Sequence, residues 1–428
     1  MSIGNIKINV VAKALFGILL IVTGVAFRPI MYFAAAYAFI ILIFEKDPIS
    51  IICIMFTWLN VSTIFKFSVE GISVFTLLEF VMIAILFLQK KRIEKRFFML
   101  WIVYIVYLIV GAGSAYTDLL KALCIPLIIY LISRSITYED LRLVSFYYLL
   151  GVFANSLLGF MRSSIPNMTS YVSFKQQGYG YEAQSLILTD RFSGLWGDPN
   201  YYSIHLIIAI AIISVLFSRK EIKGIGFYGI YIAMTFFGAM TGSKSYIIML
   251  VTVTMFTIVL LIKEKQYSHS VFFIAVIAVG IILLLSGYID VFSKVLYRIQ
   301  HLTNSGMSTG RTEIWQSYLD LYNESLLLTL FGSGLGQGFL LRVPHNSFLD
   351  VFVLFGVVGA VVVFATFYVA IKQKSCFLRM ESAVPLLTLG ILYFFLSMFY
   401  SVEMPFQIAL AAAFLYLSPV NNDTQSVE

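Results

Sequence analysis

The sequence has little charge for its length. Asp, Glu, Lys and Arg make up 12% of its 428 residues, about half of the roughly 25% that an ordinary soluble domain carries. So few charged side chains cannot solvate a globule of this size, and the composition therefore excludes a soluble protein.

Cysteine and histidine are also scarce. The chain has three cysteines and four histidines, and no Asp, His or Cys cluster has the spacing of metal ligands. Cys53, Cys124 and Cys376 are far apart, so the sequence offers no disulfide framework. We therefore expect chemistry that uses neither a metal nor a cofactor.

Long apolar runs dominate instead. Hydrophobic residues make up 60% of the chain and its mean hydropathy is +0.92. Runs of about 17 or more mostly apolar residues recur, and in lipid such runs must be helices because each backbone polar group needs a partner within its own segment. The first run lacks a small-residue cleavage site and leads directly into another, which predicts a retained helix.

The runs predict an all-α, polytopic bundle of about fourteen transmembrane helices, which forms a single membrane-embedded domain over residues 1–428. The predicted spans are residues 9–27, 29–44, 50–65, 71–88, 97–113, 118–133, 143–161, 199–217, 224–240, 245–262, 270–288, 348–371, 383–399 and 405–418.

Basic residues orient this bundle. The loops on one side carry clusters such as the five Lys and Arg residues between Lys90 and Arg96, whereas the short loops on the other side carry few. By the positive-inside rule the first side is cytoplasmic, which places both chain ends in the cytoplasm. The net charge of +7 then reflects topology, and we expect no nucleic acid among the partners.

Two loops on the predicted outer side are long, residues 162–198 and 288–347. Chain that neither spans the membrane nor makes a minimal connection tends to be functional. Both loops carry arginines, although the topological bias disfavours cations on this side. We therefore expect the functional site in these two outer loops.

The first loop ends in Arg191-Phe-Ser-Gly-Leu-Trp-Gly-Asp-Pro-Asn200. Asp198 and Pro199 predict an N-cap and the first helical turn of the next span. Arg191 then lies beside a helix N-terminus, which favours anions. It either binds a substrate phosphate or meets lipid phosphates at the interface.

The second loop contains Gly310-Arg311-Thr-Glu-Ile-Trp315 and then Tyr318, Leu319 and Tyr322 at helical spacing. This pattern predicts an amphipathic helix on the outer surface. A glycine run from Gly332 to Gly338 follows; it lacks the Lys-Ser/Thr ending of a nucleotide loop. It makes either a tight turn or a backbone nest for phosphate.

Three of these side chains together suit one reaction class. The guanidinium forks of Arg191 and Arg311 can hold a pyrophosphate, and the imidazole of His345 can take a proton from a hydroxyl. Lys244, in Thr241-Gly-Ser-Lys244, adds a cation at the outer end of the ninth span. Each feature also has a structural interpretation. Arg191 and Arg311 can be surface cations, His345 a capping histidine, and the segment with Lys244 a short turn.

These pieces, in this order, resemble the O-antigen polymerase and O-antigen ligase superfamily of bacterial membrane glycosyltransferases. The matching segments are Arg191 to Asn200, Thr241 to Lys244, Gly310 to Trp315, Gly332 to Gly336, and His345-Asn346-Ser-Phe-Leu349 with Phe355, Gly356 and Gly359. Many relatives have Ser-Arg where this chain has Ser243-Lys244, and a lysine offers a point charge without a fork.

The resemblance implies a GT-C type fold in the bacterial inner membrane and a metal-independent glycosyltransferase. Its donor would be an oligosaccharide on undecaprenyl pyrophosphate, and its partners would be membrane lipids and a chain-length regulator protein. By this analogy the catalytic residues are His345, Arg191 and Arg311. The substrate-binding residues are Lys244, Arg342, Asn200, Trp196, Trp315 and Asn346.

Polymerase and ligase share these motifs. About fourteen spans favour a polymerase that joins lipid-linked repeat units, because ligases, which transfer the glycan to lipid A–core, resemble a twelve-span design. The third possibility is a flippase or another transporter of lipid-linked glycans. Such a carrier would show internal repeats and charges deep in the bundle, and the sequence shows no convincing repeat.

Overall fold

We analysed a computed structural model of the chain, which describes residues 8–69, 73–89, 93–113, 115–177, 191–286, 311–372, 380–399 and 401–416. Within these residues the regular structure is helical, apart from an isolated antiparallel bridge between Lys66 and Ser73. The prediction of an all-α fold is confirmed.

The described residues form seventeen α-helices and one short 3-10 turn at Arg162–Ser164. In chain order the helices are α1 (Ile8–Ala26), α2 (Arg28–Phe44), α3 (Pro48–Leu59), α4 (Val74–Gln89), α5 (Lys95–Gly111), α6 (Tyr116–Ser135), α7 (Tyr138–Phe160), α8 (Met168–Gln177), α9 (Pro199–Ser218), α10 (Gly224–Thr241), α11 (Lys244–Lys263), α12 (Tyr267–Ser286), α13 (Arg311–Glu324), α14 (Leu326–Phe331), α15 (Ser347–Ile371), α16 (Met380–Phe394) and α17 (Glu403–Tyr416).

Among the described helices, six are long and apolar enough to cross a membrane: α1, α7, α9, α10, α11 and α15. Six shorter apolar helices are α2, α3, α4, α16, α17 and the first part of α12, Tyr267–Val279. Because several apolar helices follow one another, the chain is a multi-pass membrane protein. A helix covers most of each of the fourteen predicted segments in the described chain.

Two helices end earlier than the apolar runs that predict them. Helix α3 ends at Leu59 and α16 at Phe394, whereas the predicted spans continued to residues 65 and 399. The side chains of Val61, Ile64 and Phe65 are nevertheless fully buried. Non-helical backbone at this depth is tolerated where protein surrounds it, so an apolar run can be a buried turn.

The centre of the bundle is formed by α3, α9 and α17. The membrane-length window of α9 is 94% buried, and it packs against α7, α10, α11 and α16. Helix α17 packs against α6, α7 and α16. The peripheral helices instead expose large apolar side chains, such as Val251 and Met255 on α11, which lipid would cover.

Helix α15 is interrupted at Gly356, whose φ of 62° and ψ of −171° are not helical. The backbone N–H groups of Ser333 and Gly334 donate to the carbonyls of Val353 and Leu354, both at 2.9 Å. A broken helix in a membrane protein needs such replacement partners. The kink therefore anchors the glycine run that precedes the helix.

Candidate functional site

The segment from Arg191 to Asp198 is built into the core. Every residue from Phe192 to Gly197 is buried. The Thr63 hydroxyl donates to the Leu195 carbonyl at 2.7 Å, and the Leu195 N–H donates to the Asn155 side-chain oxygen at 3.1 Å. Gly194 has a φ of 55° and packs against Tyr202 of α9. Together these contacts hold Arg191 at the start of α9.

Arg191 joins three parts of the predicted site. Its Nε donates to the Thr241 carbonyl at 2.8 Å and its Nη2 donates to the Asn200 Oδ1 at 3.3 Å. The Ser243 hydroxyl donates to the same Asn200 oxygen at 2.9 Å. Ser243 also caps α11, and Lys244 is the first residue of that helix. Arg191, Asn200 and the 241–244 motif are therefore in one place.

Trp196, predicted to bind substrate, lies in the core. The residue is 2% exposed, and its ring stacks on that of His205 at 4.8 Å between centroids, with an interplanar angle of 12°. The Nδ1 of His205 lies 3.4 Å from the Tyr148 hydroxyl. Because His205 covers the indole face, Trp196 has no exposed ring face on which a sugar could stack. Its role is to pack the Arg191 segment against α9.

Helix α13 begins at Arg311 and is hydrogen-bonded to the chain that precedes α15. The Arg311 Nη1 donates to the Phe395 carbonyl at 3.0 Å, and the Trp315 Nε1 donates to the Pro344 carbonyl at 2.7 Å. The Tyr318 hydroxyl donates to the Arg342 carbonyl at 3.1 Å. Side chains of this polar helix thus hold residues 341–344 in place.

The inward face of α13 consists of Trp315, Tyr318 and Tyr322. The Tyr322 hydroxyl donates to the Val353 carbonyl at the kink of α15. Burial raises the pKa of Tyr322 to about 12. Leu319, expected on the same face, is 55% exposed, because it lies about 100° around the helix from Tyr318.

His345 and Asn346 lead into α15. His345 is half-buried and has a φ of 53°, in the left-handed region that histidine adopts more readily than most residues. The Asn346 Oδ1 caps α15 and accepts from the N–H groups of Phe348 and Leu349 at 3.0 and 3.1 Å. Asn346, predicted to bind substrate, therefore uses its side-chain oxygen as a cap, whereas Arg342 is exposed.

Residues 395–398, after α16, connect the two arginine regions. The Phe395 carbonyl accepts from Arg311, and the Tyr201 hydroxyl donates to the Ser397 carbonyl at 2.8 Å. The Ser397 hydroxyl donates to the Asp350 Oδ1 at 2.8 Å. Through this segment the first turn of α9 lies beside α13 and the first turn of α15. The two motif regions are therefore at the same end of the bundle.

Tyr201, Asp350 and Ser397 were not among the predicted site residues. The acid at position 350 was the one available signal, because an ionisable residue inside an apolar run usually marks a functional or paired position. Nothing in the apolar run from 383 to 399 indicates that its last residues leave the helix and connect other elements.

The electrostatics of this end favour an anion. Helices α9, α11 and α15 begin here, at the N-caps Asp198, Ser243 and Asn346. Their positive dipole ends add to the charges of Arg191 and Arg311. The half-buried Lys244 makes no hydrogen bond or ion pair with any described residue, so its ammonium remains available.

The glycine run supplies turns. The N–H of Gly336 donates to the Gly111 carbonyl at 3.0 Å and that of Gly338 to the Gly334 carbonyl at 3.2 Å. Those of Ser333 and Gly334 bind α15, as described above. With these donors engaged by the backbone, the geometry favours the tight turn over a nest for phosphate.

No metal-ligand group was found at this site or elsewhere in the part of the chain that the structure describes, where no three His, Cys, Asp or Glu side chains are grouped to hold an ion. The side chains at this end carry guanidinium, ammonium, imidazole, hydroxyl and carboxyl groups.

Fold and site together define an all-α, multi-pass membrane protein with an anion-favouring end. Neither a family model, nor a curated protein, nor a solved structure matches the chain. The resemblance stated above therefore depends on the motif residues and their order.

Proposed function

We propose that the protein is a polysaccharide polymerase of the metal-independent, membrane-embedded glycosyltransferase type. Its donor is a repeat-unit glycan on undecaprenyl pyrophosphate. Its acceptor is a hydroxyl at the non-reducing end of a second lipid-linked repeat unit, at the periplasmic face of the bacterial inner membrane. The proposed architecture is a GT-C type bundle of about fourteen spans with both termini in the cytoplasm.

One observation carries the proposal. Arg191 and Arg311 are about 120 residues apart in sequence, yet a chain of hydrogen bonds from Asn200 and Tyr201 through residues 395–398 brings their segments together. Two guanidinium groups at helix N-termini are suited to the two phosphates of a lipid pyrophosphate. A plain surface cation would need no such connection.

In the proposed reaction the acceptor hydroxyl attacks the anomeric carbon of the donor. The new glycosidic bond forms as the bond between that carbon and the phosphate oxygen breaks, and the lipid pyrophosphate leaves. Arg191 and Arg311 stabilise the negative charge that develops on the leaving group. His345 accepts the hydroxyl proton and later returns it to solvent.

The backbone of His345 supports this role. A left-handed conformation in a residue other than glycine costs about 1–3 kcal/mol and persists where the surroundings enforce it. Here the Trp315–Pro344 hydrogen bond on one side and the Asn346 cap on the other hold it. This arrangement fixes the backbone of His345 between the Pro344 carbonyl held by α13 and the N-cap of α15.

Two other functions remain as alternatives. An O-antigen ligase would use the same donor and the same arginines but transfer the glycan to lipid A–core. A flippase would carry the lipid-linked glycan across the membrane without chemistry, and it would need charges through the depth of the bundle. The clustering of the motif residues at one end favours an enzyme over a carrier.

The test uses a strain that lacks the gene and carries Arg191→Ala, Arg311→Ala or His345→Ala on a plasmid. Surface glycan is separated on a gel, and the amount of each variant in the membrane is measured. We expect each variant to reach the membrane and to give lipid A–core with at most one repeat unit.

Bare core, with polymer still on its lipid carrier, would identify a ligase. Normal ladders from all three variants would contradict the site assignment. Loss of all surface glycan, with repeat units retained on the cytoplasmic face, would support the flippase.

A further inference from the structure

A small cavity lies between α4, α6 and the chain that enters α17. Its polar lining consists of Thr76 and Glu79 from α4, Lys121 and Cys124 from α6, and Ser401. The volume that the centre of a water molecule can occupy in this cavity is about 20 Å³. This is enough for about one water-sized occupant. A sugar or a phosphate does not fit.

Glu79 is the central group of this cavity. Its side chain is buried, at 6% exposure, and its Oε1 has no hydrogen-bond partner in the part of the chain that the structure describes. A buried carboxylate without a donor is strongly unfavourable unless a positive charge or a proton accompanies it. The uncompensated oxygen therefore indicates an occupant of the cavity.

The charges around Glu79 do not balance. Glu403, which is 4% exposed, is within electrostatic range of it, as are Lys121 and Cys124 of α6. The Lys121 ammonium also lies 3.6 Å from Asp118. Asp118 is half exposed, so solvent screens its charge. The two buried carboxylates, of Glu79 and Glu403, thus share one ammonium, and one further positive charge is needed for neutrality.

The donors define the kind of cation. Carboxylate and hydroxyl oxygens are hard ligands that suit Na⁺ or a proton and do not suit soft transition metals. The described part of the chain has no group of three acidic, histidine or cysteine side chains for a multivalent ion. A singly charged occupant matches both the charge deficit and the volume.

We propose that the cavity at Glu79 is a binding site for one monovalent cation, Na⁺ or a proton, and that the nearby negative charge of Glu403 favours its binding. The hydroxyls of Thr76 and Ser401 supply further oxygens. The site is separate from the arginine pair and does not depend on the proposed glycosyltransferase activity. Ser401 follows the connecting residues 395–398 in the sequence.

The proposal is tested on purified protein in lipid nanodiscs by its thermal unfolding midpoint. The midpoint is measured in NaCl and in N-methylglucamine chloride at equal ionic strength, at one pH below and one above neutrality. Glu79→Gln and Glu403→Gln are compared with the wild type. Glu313→Gln, on the exposed face of α13, is the matched control, and radioactive Na⁺ binding is measured in parallel.

If the cation is Na⁺, NaCl raises the midpoint by about 2 °C or more above the organic cation, and Na⁺ binding saturates. If it is a proton, Na⁺ has no effect and the midpoint rises as the pH falls. Either response must disappear in Glu79→Gln or Glu403→Gln and persist in Glu313→Gln. A wild-type midpoint independent of Na⁺ and pH, or a response that both cavity variants retain, overturns the proposal.

Discussion

The Arg191 segment, residues 191–200, and helix α13 with Arg311 are held in different ways. All residues from Phe192 to Gly197 are buried, whereas Tyr318 is the one buried side chain among the described residues of α13. The first arginine is thus positioned by the core, and the second by a few hydrogen bonds from a polar helix to backbone carbonyls.

Because of this difference, changes in the Arg191 segment should affect the stability of the protein, whereas changes in α13 should affect the positions of the site residues. Disturbing the Arg191 segment removes packing from α7, α9 and the turn that follows α3, and the whole bundle loses stability. Disturbing α13 moves Arg311 and His345 while the core stays intact. A helix with few buried contacts also opens more easily, which suits a site that must admit two lipid-linked substrates.

The largest expected effect is on stability, from Gly194→Ala. A Cβ at this position would lie 2.8 Å from the ring of Tyr202, and the positive φ adds backbone strain. We expect a loss of about 3 kcal/mol in the free energy of unfolding, measured as a lower unfolding midpoint and less protein in the membrane. Gly229→Ala, where a Cβ meets nothing within 4 Å, should leave the midpoint unchanged or higher.

The second comparison is Arg191→Ala with Arg311→Ala. Each should lower polymer synthesis by about 100-fold or more, which corresponds to about 2.7 kcal/mol of transition-state stabilisation. Arg191→Ala should also lower the unfolding midpoint more than Arg311→Ala does, because it removes two hydrogen bonds, to Asn200 and the Thr241 carbonyl, whereas Arg311→Ala removes the one to the Phe395 carbonyl.

Arg162→Ala is the control for this pair, since Arg162 donates to Ser193 in the same segment at 3.3 Å but is not part of the proposed site. Its activity should stay near that of the wild type. Equal loss of stability from Arg191→Ala and Arg311→Ala would contradict the proposed difference between the Arg191 segment and helix α13.

A smaller effect is expected from Trp315→Phe, which removes the hydrogen bond to Pro344 while keeping a ring against Phe394. The cost should be about 1 kcal/mol, and hydrogen exchange at residues 340–345 should become faster. Activity should fall several-fold because His345 loses its anchor. Trp101→Phe is the control, because it removes a comparable hydrogen bond, from Trp101 Nε1 to the Leu123 carbonyl at 3.2 Å. It should lower the free energy of unfolding by a similar amount and leave activity unchanged.

The smallest effect is expected from Lys244→Arg. Because the ammonium of Lys244 has no partner among the described residues, a fork at this position disturbs no existing bond. Polymer synthesis should change by less than about threefold, whereas Lys244→Ala should lower it by about tenfold. A complete loss of activity in Lys244→Arg would show that the space around the lysine is closed.

Much of this arrangement could be predicted from the sequence. Apolar runs indicate the helices because lipid leaves them no alternative, and the cap at Asp198 follows from its position before Pro199. The ends of α3 and α16 could not be predicted, since an apolar run shows no difference between a helix and a buried turn.

The site was predictable in part for similar reasons. The cationic residues were evident because they oppose the topological bias. The burial of Trp196 was not evident, because its partner His205 comes from the helix that follows. Tyr201 and Ser397 could not be predicted, because hydrogen bonds between distant segments leave no pattern in either one.

The most direct test of the central claim is a double-mutant cycle on binding of undecaprenyl pyrophosphate to the protein in nanodiscs. Affinities are compared for the wild type, Arg191→Ala, Arg311→Ala and the double variant. If both arginines hold one pyrophosphate, each single variant binds more weakly, and the double variant loses less than the sum of the two, with a coupling of about 0.5 kcal/mol or more. Fully additive losses, or unchanged binding in either single variant, would contradict a shared site.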